Sequence, residues 1–160
     1  MAVFGERVST VFSNSFKYAV FYRKVSVLSL LKKYSEGIEY LKTWRPDDFE
    51  RSYLKNMYLK SFEIMRRKAE GDSVSSIRLY TEIVGEIQQY IDKSPSEDAV
   101  CDLYTIRSQI ENRDTLIQEI ESLKATGRYD PDFLEALASL VESLTADENA
   151  KMEKMIAPSY

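Results

Sequence analysis

Apolar residues recur along this chain at intervals of three and four, the spacing that aligns one face of an α-helix. Val27, Leu31, Tyr34, Ile38 and Leu41 make one such stripe in a first predicted helix from about Phe4 to Lys42, which Gly37 would divide if anything does. Between Phe16 and Val27 the aromatic and β-branched residues run nearly all the way round a helix. That pattern suits a helix buried on several sides, or a strand.

Thr43-Trp44-Arg45-Pro46 is a connector, because a residue before proline avoids the helical region. Asp47 and Glu50 read as the N-terminal cap of a second helix with the stripe Leu54, Tyr58, Phe62, Met65 and Ala69, stopped by Gly71. A third helix, from Asp72 or Ser73 to Asp92, places Ile77, Tyr80, Val84, Ile87 and Ile91 inward. Ser94, Pro95 and Glu97 predict the start of a fourth, which reaches Ala125 with Leu103, Ile106, Ile110, Ile117 and Ile120 on one seam. Asp130-Pro131 opens a fifth with Leu134, Leu137, Val141 and Leu144 inward, and Thr145 with Glu148 would cap a short sixth ending near Ile156. The predicted fold is all-α, a single-domain bundle of five to six helices over residues 1–160.

Composition narrows the chemistry. At 44% hydrophobic, 160 residues can bury a core, and five glycines with four prolines favour long helices over an all-β fold. With no histidine and one cysteine, the chain has no Ser-His-Asp or Cys-His catalysis, imidazole metal site, internal disulfide or thiolate zinc cluster of its own. The longest stretch without a charged residue is nine, Val8 to Phe16, too short to span a bilayer. Glu6 and Arg7 argue against a secretion signal, and Ala2 and the terminal Ala-Pro-Ser-Tyr offer no lipidation motif, so a cytoplasmic location is expected (a host-cell interior or a virion if the chain is viral).

Charge changes the picture more. Residues 1–45 hold eight Lys/Arg against three Asp/Glu, residues 46–72 six of each, and residues 73–160 eight against seventeen. The chain thus divides into a basic region (1–45), a helical body (46–156) with an acidic C-terminal half, and a short tail (157–160). Thirteen of the nineteen aromatic residues precede residue 63, so the basic end is also the aromatic end. The two halves could neutralise each other within one chain. Alternatively the basic end of one copy meets the acidic flank of the next, or it binds an anionic partner, lipid or nucleic acid.

Lys17, Arg23, Lys24, Lys32 and Lys33 on the first helix, and the cluster Arg66, Arg67 and Lys68, are the candidate anion contacts. The second cluster also suits a helix C-terminus, where cations complement the macrodipole. Glu82 with Glu86, Glu119 with Glu121, and Asp130 with Asp132 are carboxylate pairs without the further ligands of a metal site. Cys101 has no base to activate it, and no phosphate-binding, dinucleotide-binding or nucleophile-elbow motif is present. What remains is surface: Trp44 in the connector, with Tyr40, Arg45, Tyr129 and Tyr160, are residue types that dominate protein interfaces, though Trp44 serves equally as a lid over the bundle end. The expected function is that of a non-enzymatic assembly or adaptor protein needing no cofactor and partnered by itself or by a larger assembly such as a viral or phage structure. A nucleic-acid-binding regulator is the alternative and a peripheral membrane protein the third reading.

Overall fold

The computed structural model describes the backbone of residues 2–156 and the side chains of residues 16–144. Seven α-helices follow one another: α1 (Ala2–Leu30), α2 (Tyr34–Lys42), α3 (Leu54–Ala69), α4 (Val74–Lys93), α5 (Glu97–Arg107), α6 (Arg113–Lys124) and α7 (Pro131–Ile156), with a 3-10 turn at Pro46–Asp48. None of the described residues lies in a strand, so residues 16–27 are helix.

The helices outnumber those read from the sequence because two breaks carry neither glycine nor proline. The first falls at residues 31–33, not at Gly37. There the Lys33 amide donates to the Leu28 carbonyl at 2.9 Å and the Lys32 amide to that of Ser29 at 3.0 Å, with Lys32 itself at φ 57°. This paired closure needs a left-handed residue, a role glycine usually fills. Tertiary packing outweighs the cost. In an unbroken helix Phe21 and Trp44 would stand roughly 34 Å apart at 1.5 Å per residue; their ring centroids are 4.7 Å apart. The second break, residues 108–112, splits the predicted fourth helix, and Asn112 Oδ1 caps α6 by accepting from the amides of Asp114 (2.9 Å) and Thr115 (3.2 Å).

Other boundaries also move. Asp48 Oδ2 accepts from the Arg45 amide at 2.8 Å and closes the turn, so α3 begins only at Leu54 and not after an Asp47 cap. The cap of α5 is Ser96, whose Oγ accepts from the Ala99 amide at 3.3 Å, and not Ser94. Helix α7 passes Thr145 without interruption, so no separate sixth helix starts there; those side chains lie outside the described residues. Gly71 does end α3, at φ 87°, with the Asp72 amide donating to the Arg67 carbonyl at 2.8 Å.

Buried apolar side chains from Phe21 to Val141 form one cluster. Helix α4 turns Leu79, Ile83, Ile87 and Ile91 inward while Ile77 is exposed, so its predicted stripe was rotated. Helix α3 buries Leu54 and Phe62 as expected and also Ile64, about 200° round from Phe62. It lies between α2 and α4 and therefore needs two apolar faces. Packing runs α1 on α2, α2 on α3, α3 on α4, α4 on α5, and α7 on both α5 and α6.

Candidate interaction surface

The aromatic excess at the basic end builds a knot. Phe21, wholly buried on α1, stacks on Tyr40 (6.0 Å) and meets the edges of Trp44, Phe49 (5.1 Å) and Tyr58 (5.6 Å). Trp44, only 8% exposed, is thus a lid over the end of the bundle and not a free interface anchor. Tyr40 is half-buried beside it; Arg45 is exposed. Tyr129 is half-buried, tilted against Phe133 at 6.0 Å, and lines a cleft of about 450 Å³ with Gln88, Asp92, Arg107, Glu119 and Arg128. Tyr160 lies outside the described residues.

The proposed anion contacts are largely occupied within the chain. Lys17 Nζ sits 4.7 Å from the Trp44 ring and 3.7 Å from Asp48, while the Tyr18 hydroxyl donates to the Asp48 carbonyl, so α1 is pinned to the turn. The Arg45 amide, then Lys17, hold the Asp48 carboxyl below its ordinary range. Lys24 Nζ lies 4.3 Å from the Tyr40 ring, and Lys33 pairs with Glu36 at 3.4 Å. Arg67 bonds Glu63 at 2.7 Å and Lys68 lies over Tyr80 at 5.3 Å, so the 66–68 cluster is no open phosphate grip, though Arg66 makes no ion pair with a described residue. Arg23 and Lys32 are exposed and likewise unpaired among the described residues.

The feature that sequence reasoning missed is the outer side of α1. Phe16, Val20, Val27, Leu30 and, just past the helix end, Leu31 are exposed, Leu30 at 81%. On a helix of 3.6 residues per turn they fall within about 100° of one another, opposite the buried Phe21, Val25 and Leu28. The apolar positions that looked scattered therefore belong to two faces, one spent on the core and one left in solvent. Arg23 lies within the outer stripe and Lys17 and Lys24 along one edge. A projection of two opposed apolar faces has little net amphipathicity, and only knowing which face the core takes separates them.

On the acidic side, Arg107 bonds Glu111 and Glu119 (2.7 Å to the latter), bridging α5 to α6 across their break. Those bonds hold the Glu119 carboxyl below its ordinary range. Burial foremost, with Glu119 beside it, pushes the Tyr104 hydroxyl up to about 12. Arg51, in the connector before α3, reaches Asp102 of α5 at 3.2 Å, with the Tyr53 hydroxyl donating to the same carboxylate. Burial, then the nearby acids Asp102, Asp98 and Glu97, raises the Cys101 thiol, opposite to the activation a nucleophile needs. No cluster of three or more metal-ligating side chains occurs among the described residues, and no helix among them is long and apolar enough to cross a membrane. No family model, curated protein or solved structure matches this chain.

Proposed function

We propose that this protein is a non-enzymatic assembly or adaptor module acting through protein–protein contacts, with itself as the first partner. The observation that carries the reading is the apolar outer face of α1, Phe16, Val20, Val27, Leu30 and Leu31, standing in solvent opposite the core. Apolar surface gathered on one helix face is stabilised when a partner covers it, by about 25 cal/mol per Å². The uneven charge supports the same reading, since complementary potentials set register and association rate. A subunit of a larger assembly, such as a virion, is one setting for such a module. A nucleic-acid reader is less well supported, because Lys17, Lys24 and Lys33 already have partners within the chain.

The test is light scattering behind size exclusion on the full chain at low and high salt, beside the double variant Val20→Glu, Leu30→Glu. Wild type is expected as an oligomer and the double variant as a monomer with unchanged far-UV circular dichroism. A wild-type monomer at both salts, or a double variant that associates like wild type, overturns the reading.

A further inference from the structure

The charge and shape of two helices assign the occupant of that face. We infer that the outer face of α1 docks head to tail on the outer face of α7 of a second copy, an inference that rests on the self-association proposed above. From residue 16 to 33 the chain carries Lys17, Arg23, Lys24, Lys32 and Lys33 and no acid; from 130 to 144 it carries Asp130, Asp132, Glu135 and Glu142 and no base. Helix α7 buries Leu134, Leu137 and Val141. Its opposite side exposes Asp132, Glu135, Ala136, Ser139 and Ser143. The small side chains make a low strip on which Phe16 and Leu30 can lie, with Asp132 and Glu135 beside it to meet Arg23. Along a helix axis Phe16 to Leu30 spans about 21 Å and Asp132 to Ser143 about 17 Å, so the strip on α7 is about one turn shorter than the face on α1.

Within one chain α1 packs mainly on α2 and also meets Tyr58 of α3, while α7 packs mainly on α5 and α6. None of the ion pairs between described residues joins residues 16–45 to residues 73–144, so the basic and acidic ends do not neutralise each other by direct pairing there. Pairing α1 with a second α1 would set Arg23 and Lys24 against their own copies, and like charges in contact are unfavourable. A contact between two different faces is heterologous, so a joined pair still presents one free α1 face and one free α7 face, and growth continues to a ring or a filament.

Reciprocal charge reversal tests this in the full chain. Arg23 and Glu135 are both exposed, so Arg23→Glu and Glu135→Arg should leave the far-UV spectrum unchanged. Each variant alone is expected to associate about tenfold more weakly in sedimentation velocity. Mixing the two is expected to restore wild-type association, because each then meets an opposite charge on its neighbour. If Glu135→Arg associates like wild type while Val20→Glu, Leu30→Glu is monomeric, the α1 face is an interface but α7 is not its partner, which sinks this inference and leaves the broader reading standing. Failure of the mixture to recover also overturns it. A wild-type monomer that co-sediments with phosphatidylserine vesicles but not with phosphatidylcholine vesicles overturns both and hands the face to an anionic lipid surface.

Discussion

Two glycines inside helices give opposite predictions for one chemical change. A Cβ on Gly37 in α2 would stand 2.5 Å from Phe62 Cε1 and 2.7 Å from Cδ1 and Cζ. Carbon atoms attract only near about 3.5–4.0 Å, so the ring would have to retreat by roughly 1 Å. Phe62 is 1% exposed and borders a cleft of about 260 Å³ with Met57 and Met65, which can take up part of that retreat. Such overpacking costs about 1–3 kcal/mol, against a helix-propensity gain of about 1 kcal/mol for replacing glycine with alanine. Gly37→Ala should therefore be net destabilising, by up to about 2 kcal/mol. Gly85 in α4 is exposed with nothing within 4 Å of a built Cβ, so Gly85→Ala keeps the whole gain. In thermal unfolding followed by circular dichroism, Gly37→Ala should lower Tm by up to roughly 8 °C and Gly85→Ala raise it by about 2–4 °C. Phe62→Leu, which makes room, should shrink the Gly37→Ala penalty when the two are combined. A Gly37→Ala protein stabilised as much as Gly85→Ala would refute the close approach of α2 and α3 on which this rests.

The left-handed Lys32 makes Lys32→Gly a stabilising change of about 1 kcal/mol, read in urea unfolding; an unchanged or lowered midpoint would mean that the break between α1 and α2 is not closed as described. Acid should loosen the α5–α6 junction. Because the Glu119 carboxyl titrates below its ordinary value of 4.5 in the folded protein, its contribution is present above that value and disappears as pH falls through the lower, folded one. Arg107 stays protonated across this range, so Glu119→Gln should flatten the acid limb of the stability curve, and an unchanged limb would assign the acid sensitivity elsewhere.

The helical class, the stop at Gly71 and the inward face of α7 were legible because each rests on neighbours in sequence: a breaker, or apolar residues three and four apart. Of the seam read for the fourth helix Leu103, Ile106 and Ile120 are buried, while Ile110 falls in the break and Leu116 replaces Ile117 as the buried residue of α6. Leu134, Leu137 and Val141 are buried as their spacing predicts, and the capping chemistry near Ser94–Ser96 announced a helix start even though the cap is Ser96. The breaks at Lys32 and Asn112 were not legible because neither carries a glycine or a proline, and Lys32 takes a left-handed turn that a non-glycine residue adopts only when remote contacts repay it. Here Phe21 closing on Trp44 does so.

The candidate surface divides the same way. Sequence alone determined that the chain is helical and that its charge runs from a basic, aromatic end to an acidic, aliphatic one, because composition and period are local quantities. Only the tertiary structure decided that Trp44 belongs to the core and that Phe16, Val20, Val27, Leu30 and Leu31 do not. An apolar residue carries no mark of which side its neighbours will occupy. Burial is settled by the helices that pack against it, and on α1 they cover one apolar face and leave the other to water.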